Sequence, residues 1–415
     1  MAQAYLELIS DIKKACLEQM NEEDIAQYQK NEALLRKRVE AILSAYFKNK
    51  RDIYVTVPER QTILAQIISD ILGMGPIEKL LHDPEVTEIM VNGHSQVYIE
   101  RNGKLELTNI AFRDEEHLTY FIEKIISPLG RRVTESEPYI DARLKNGSRV
   151  NVVVYPVSLS GAILTIRKFS SHILTMEDLI HRKALSQQAA DFLAACVKAR
   201  ANIIVSGCCG VGKTTMLDVL SHYILPDERV IIVEDTAELQ FKGRHIVHME
   251  TRPSNIDGKG EITIRHLIKN ALHMRPDRII VGEVRSNEVL DMLQAMTTGH
   301  EGSMATMHAN SSLEALDRLE LLTLMGNTNI SAMVARRQII SAIDLSIHMV
   351  RRSDGLRKIV QISELNKNNR EEFCLQDVFS AGDSCEEDLQ WTGRVPLIYP
   401  RLKAHAGYKN ESFDK

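Results

Sequence analysis

No apolar run in this chain of 415 residues approaches the roughly 18 residues that argue a membrane span, so no stretch reads as a helix that crosses a bilayer. The opening MAQAYLELISDIKKACLEQM is interrupted by Glu7, Asp11, Lys13 and Lys14, and it lacks the continuous apolar region of a secretory signal. The expected compartment is therefore the cytoplasm. Cysteine is scarce and scattered. The six, at 16, 196, 208, 209, 374 and 385, form no C-x-x-C pair, which argues against a disulfide framework or a zinc cluster and fits a reducing compartment. A basic excess is missing as well: 51 Lys and Arg against 56 Asp and Glu leave a net charge of −5, not the footprint of a nucleic-acid binder. No nucleic-acid partner is expected. Internal repeats and low-complexity tracts are also lacking. What is present is a globular composition, 44% hydrophobic and 26% charged with mean hydropathy −0.17, in a chain long enough for two or three domains.

Along the chain the apolar period changes. Tyr5, Leu8, Ile9, Ile12 and Cys16 recur at helical spacing, as do Leu34, Leu35, Val39, Ile42, Leu43 and Tyr46, so residues 1–60 are expected to form a helical arm. Ile63, Ile67, Ile68, Ile71 and Leu72 continue the pattern until GMGP punctuates it. Then QVYIERNGKLELT and RLKNGSRVNVVVYP alternate about Asn-Gly, a hairpin signal, before the strand-like AILTIRKF. Residues 61–170 are expected to be an α+β domain and 171–185 a linker. From 186 to 415 the strands ANIIVSG, RVIIVED and RIIVGE alternate with helical segments, the pattern of a parallel α/β sheet.

The stretch SGCCGVGKTTM satisfies G-x-x-x-x-G-K-[ST] through Gly207, Gly212, Lys213 and Thr214, with a strand pattern before it and a helix pattern after. Glycines let the backbone wrap phosphates, Lys213 neutralises β- and γ-phosphate oxygens, Thr214 offers a hydroxyl to Mg²⁺, and the helix N-terminus adds its dipole. Cys208, Cys209, Gly210, Val211 and Thr215 complete the loop as nucleotide-contacting positions. Hydrolysis also needs carboxylates, and two strands end in them: Glu234 and Asp235, followed by Glu238, and Glu283, followed by Arg285. In open parallel sheets the ligand crevice lies at the carboxyl ends of strands, on the side of the phosphate loop. Gly282 precedes Glu283 where an aspartate is usual, which leaves the metal arrangement less determined than the nucleotide. TTGHEGSMATMHANSS carries His300, Glu301 and His308 among small residues. That is a loop composition suited to close approach, although a lone histidine is more often a satisfied surface or core residue.

In this order, GCCGVGKTT, EDTAEL, ALHMRPDRIIVGEVR and GHEGSMATMHANS resemble the secretion-ATPase superfamily of type II and type IV secretion and pilus assembly. Upstream, EIMVNGHSQVYIERNGKLELT, ISPLGRRV, IDARLKNGSRVNVVVYPVSL and LTIRKF are similar to the tight-adherence (Tad) pilus ATPases of the CpaF type. The likeness runs from about residue 60 to 405. It implies a RecA-like ATPase domain preceded by a smaller α+β domain, a homohexamer that uses ATP and Mg²⁺, and inner-membrane platform proteins as partners with which the ring associates peripherally. It also implies roles: Glu238 as the base that activates water, Glu283 as the Mg²⁺-associated carboxylate with Glu234 beside it, and His308 as the γ-phosphate sensor. Arg149 and Arg167 are implied as phosphate clamps, a role that suits a planar guanidinium. Where the family commonly carries Gly-Thr and Ser, this loop has Cys208, Cys209 and Val211, so a side-chain hydroxyl is lost while the main-chain donors stay. Adjacent α-carbons only ~3.8 Å apart argue against a Cys208–Cys209 bridge. A reactive thiol beside Lys213 and the helix N-terminus is expected instead. Rival readings are a GTP-binding switch, a nucleic-acid translocase on the same core, and a ring scaffold that binds ATP without hydrolysis. The switch would need N-K-x-D, and the nearest match, NKNN at 366–369, ends in Asn369.

Overall fold

The computed structural model describes residues 11–12, 16, 32–49, 55–72, 75–101, 103–144, 146–169, 174–241, 243–252, 254, 259–326, 330–352, 354–368, 371–382 and 388–414. Tyr5, Leu8, Ile9, Cys385 and Asn369 lie outside them. The chain divides into two compact units, Met1–Ser170 and Ser171–Lys415.

In the first unit, helices Glu32–Asn49 and Val57–Leu72 pack together. Leu35, Val39, Ile42 and Leu43 stand one helical turn apart in pairs and meet Ile63, Leu64, Ile67 and Ile68, with Ile12 and Cys16 in the same core. Thr56 starts the second helix by exchanging hydrogen bonds with Glu59, backbone N–H to carboxylate at 2.7 Å and hydroxyl from the Glu59 N–H at 3.4 Å, a capping box. The arm boundary expected at residue 60 thus falls inside a helix. Its apolar face joins the arm's core and not that of the sheet, because the periodic residues continue without a break to Ile68.

That sheet is antiparallel throughout. It comprises β1 (Val86–Asn92), β2 (Gln96–Arg101), β3 (Lys104–Leu107), β4 (Tyr139–Arg143), β5 (Arg149–Val153) and β6 (Ile163–Arg167), in the order β3-β2-β1-β6-β5-β4. The two expected hairpins are β2–β3 and β4–β5. Alternate residues such as Val150 and Val152 point inward and share a core with Phe121, Ile122 and Ile125 of helix Glu115–Ile126. Asp114 caps this helix by accepting from the His117 N–H at 2.7 Å.

In the second unit nine strands form one sheet: β7 (Ile203–Gly207), β8 (Val230–Glu234), β9 (Ile246–Glu250), β10 (Arg278–Val284), β11 (Met304–His308), β12 (Leu345–Arg351), β13 (Arg357–Leu365), β14 (Leu375–Ser380) and β15 (Gln390–Trp391). Their order is β15-β14-β13-β12-β7-β11-β10-β8-β9. The run from β12 to β9 is parallel, and β13 to β15 extend it antiparallel. The sheet is therefore mixed, not wholly parallel as the alternation of strand and helix suggested. Every residue of β7 and β8 is buried, as expected of strands covered on both faces. Ile203, Val205 and Ile232 face helices Gln187–Lys198 and Lys213–Ser221, while Ile204, Ile231 and Val233 face Ile264–Leu272, Val289–Thr297 and Ser312–Gly326. Within the expected linker, helix Met176–His181 buries Met176 and Leu179 in the first of these cores. A capping box of Thr175 and Asp178 starts it. Arg278, fully buried, donates Nε and Nη2 to Glu228 at 2.6 and 2.8 Å; breaking such a pair costs about 3–5 kcal/mol. Among the described residues no helix is long and apolar enough to cross a membrane.

Candidate functional site at the phosphate loop

Gly207 ends β7 at φ 151°, and a side chain there would meet the Met349 carbonyl at 2.5 Å. Only a residue without Cβ lets the chain leave the strand at this point. After the turn, Gly212 in the left-handed region (φ 94°) opens helix Lys213–Ser221 with no side-chain cap, so the first amide N–H groups stay available to an anion. Lys213 folds back over the loop and donates from Nζ to the carbonyls of Gly207 and Cys208, both at 2.9 Å. Burial lowers its ammonium below the ordinary lysine value, and the charges of Glu283, Cys209 and Cys208 act in the opposite sense. Thr214 and Thr215 follow in the first turn.

The carboxylates sit at the carboxyl ends of neighbouring parallel strands. Glu234, last in β8 and 3% exposed, accepts from the backbone N–H groups of Glu238 and Leu239 at 3.0 and 3.1 Å. It thereby folds the acidic stretch that carries Glu238 back onto the strand end. Burial raises the Glu234 carboxyl to about 7, against the pull of those two hydrogen bonds. Gly282 now has a reason: a Cβ there would stand 2.9 Å from Glu234 Cγ, so the position where an aspartate is usual is filled by the neighbouring strand's glutamate. Glu283 accepts from Arg285 at Nε (2.7 Å) and again at Nη2, and Arg285 Nη1 reaches Asp235 at 3.5 Å. One guanidinium thus ties the ends of β8 and β10 together.

The stretch expected as a small-residue loop divides in two. Met304–His308 is strand β11, buried except at its end, with Thr306 Oγ1 donating to the Gly282 carbonyl at 2.5 Å. His308 pairs in register with Gly207 and comes within 3.6 Å of Cys209 Sγ through Nδ1. Cys208 donates to Asn310 Oδ1 at 3.3 Å. His300 and Glu301 lie before the start of β11, at the opposite edge of the sheet. There His300 Nδ1 donates to the Pro276 carbonyl (2.8 Å), while the N–H groups of Gly302 and Ser303 donate to Asn202 Oδ1 (2.8 and 3.2 Å). That half of the motif is structural.

Lys213, Cys208, Cys209, Gly210, Val211, Thr214, Thr215, Glu234, Glu238, Glu283 and His308 therefore share one edge of one sheet. Arg149 and Arg167 belong to the first unit, where they are register partners on β5 and β6. Arg149 faces Asp141 at 3.5 Å and Arg167 faces Glu88 at 3.7 Å. Sequence reasoning missed Arg351, Met349 and Arg357, which β12 and β13 bring against the loop. The Asp-Gly pair of RRSDGLRK signals a turn there, but nothing in the stretch links it to the loop. It also passed over His348, buried behind the loop with Nδ1 2.9 Å from Ser206 Oγ.

A buried parallel strand, a glycine loop and a helix opening on Lys-Thr define the phosphate-loop class of α/β protein. The type II/IV secretion system protein family matches residues 70–397, and the chain belongs to that family. It is 34% identical to a putative conjugal transfer protein of Mycobacterium tuberculosis (strain ATCC 25618 / H37Rv), over 72% of this chain and 86% of the relative. It is 30% identical to the type IV secretion system protein VirB11 of Brucella suis biovar 1, over 66% of this chain and 83% of the relative. Among solved structures, the pilus retraction motor PilT with bound ADP matches at a TM-score of 0.52 and 20% identity, over 71% of this chain and 83% of that one, a likeness of fold.

Proposed function

We propose that this protein is an ATP-hydrolysing motor of the secretion-ATPase superfamily. It works as a homohexamer with inner-membrane platform proteins and powers assembly of a Tad-type pilus. One observation supports this above the rest: phosphate loop, carboxylates and histidine stand at the carboxyl ends of adjacent strands β7, β11, β10 and β8, where α/β sheets bind ligands. Backbone N–H groups of the loop and Lys213 hold the β- and γ-phosphates. Glu238 accepts the proton of the attacking water, and His308 contacts the terminal phosphate from the neighbouring strand. Arg149 and Arg167 bind phosphate oxygens, and loss of the γ-phosphate releases them.

Mg²⁺ suits this donor set. It is usually held by one or two protein oxygens together with substrate phosphates, and Thr214 and Glu283 would supply that number, with Glu234 a further carboxylate at the same sheet edge. Among the described residues no cluster of three or more His, Cys, Asp or Glu could hold a metal by itself. Bound there, Mg²⁺ would neutralise charge that develops on the phosphates.

The test is steady phosphate release by the purified chain with ATP and magnesium, GTP being the competitor. The wild type should turn over ATP and the Lys213→Ala chain should not. Hydrolysis that survives in Lys213→Ala, or a preference for GTP, contradicts the reading. The names of the relatives favour a second setting, conjugal or type IV secretion. A deletion strain that still makes pili but loses conjugal transfer selects it.

A further inference from the structure

We propose that the β12–β13 hairpin is the nucleoside-side wall of the nucleotide site, with Arg351 and Arg357 gripping the α-phosphate and the base. The inference rests on the nucleotide-binding reading above and extends it to residues outside the phosphate-loop motif.

β7 has two neighbours, and at the level of the loop they differ in kind. Gly207 pairs with His308 of β11 on one side and with Met349 of β12 on the other. Outward from β11 come β10 and β8 with Glu283, Glu234 and Asp235, so within this sheet the carboxylates and the histidine proposed to face a γ-phosphate stand on that flank. A nucleotide whose terminal phosphate points there extends its nucleoside end toward β12 and β13.

Two residues past Met349, Arg351 is the register partner of Arg357, and both reach the loop. A Cβ placed on Gly210 would stand 3.7 Å from Arg351 Nη1. One on Gly212 would stand 3.5 Å from Arg357 Cδ and 3.8 Å from Met349 Cε. Contacts within its turn close the hairpin. The Arg352 N–H donates to the Leu356 carbonyl at 2.8 Å, the Leu356 N–H to Asp354 Oδ1 at 3.0 Å, and Arg352 pairs with Asp354 at 3.3 Å. A guanidinium suits both halves of the target, because it binds phosphate oxygens with paired donors and stacks on a purine face.

ATP and ADP share the α-phosphate and base, so contacts to them are uniform binding: they lower KM and Kd without changing kcat. Calorimetric titration of full-length wild type, Arg351→Gln and Arg357→Gln with ADP and with the Mg complex of a non-hydrolysable ATP analogue tests this, with pyrophosphate as competitor and turnover measured at saturating ATP. Each variant should bind both nucleotides about ten- to a hundredfold more weakly. Pyrophosphate competition should stay at the wild-type level, kcat within about twofold, and Arg351→Lys should recover only part of the loss. Thermal melting within a few degrees of wild type shows that the variants fold; variants that melt much lower overturn the assignment, since the hairpin is then structural. Unchanged nucleotide affinity overturns it, as does a loss of kcat at wild-type ADP affinity or an equal loss toward pyrophosphate. Wild-type protein that binds no nucleotide refutes the motor reading as well, whereas binding lost in Lys213→Ala but kept in Arg351→Gln refutes the hairpin's role alone.

Discussion

The two flanks of β7 carry opposite chemistry on the same scaffold. On the β11 side stand His308, Glu283, Glu238 and a buried Glu234; on the β12 side stand Met349, Arg351 and Arg357. Strand register pairs His308 of one set and Met349 of the other with Gly207, and strand order, not closeness in sequence, places the rest on either side. The contrast teaches that a phosphate loop marks only the middle of a site. In the proposed reading, the neighbours on either side decide which end of a bound nucleotide is altered and which end is merely held.

The sharpest way to break the contrast is to remove the carboxylate proposed as the base. Glu238→Gln should lower kcat for ATP hydrolysis by about 10²–10⁴-fold while calorimetric ADP affinity stays put. A kcat near wild type would move proton transfer to Glu234 or Glu283. His308→Ala should cost less, about ten- to a hundredfold in kcat if its contact is a hydrogen bond to a charged phosphate, again with ADP affinity preserved.

The next expectation concerns stability. Glu234 keeps its proton up to about pH 7 in the folded chain, because it is buried, but releases it near its ordinary value once unfolded. The folded state therefore holds more protons between about pH 4.5 and 7. Stability from this group is full below that range and declines as pH rises through it, by on the order of 3 kcal/mol in all. Glu364, raised to about 7 by burial in the same way, adds to the slope. Denaturant melts at pH 5 and pH 8 should show wild type losing more stability than Glu234→Gln. Equal losses would mean that the Glu234 carboxyl titrates normally.

The smallest effect expected is chemical. Cys208 and Cys209 are exposed on the loop, so alkylation should slow ATP hydrolysis, ATP should protect, and Cys209→Ser should resist most of the inhibition. Full activity after complete alkylation would mean that these thiols stand clear of the nucleotide.

Legibility followed how narrowly chemistry restricts residue choice. The phosphate loop could be read directly, since few residue types satisfy its backbone and its charge, and β7, β8 and β10 showed as short β-branched runs. β11 did not, because MATMH has neither such a run nor alternation; its burial on both faces comes from the helices that cover the sheet, with Met304 in one core and Ala305 and Met307 in the other. The antiparallel extension was missed for a related reason. RKIVQISEL mixes charge into a strand whose apolar residues are only partly periodic. Glu234 reads in the sequence as a strand-end carboxylate on the phosphate-loop side, and only the fold shows it buried against Gly282 with two backbone donors. Arg351 and Arg357 stand well over a hundred residues from the loop they approach. No local pattern could join them.

The most direct measurement sets kcat for ATP hydrolysis beside the ADP dissociation constant in wild type, Glu238→Gln and Arg351→Gln. The division of the site between the flanks of β7 predicts a crossing: the first substitution moves kcat alone and the second moves affinity alone. Both substitutions shifting the same quantity would contradict it.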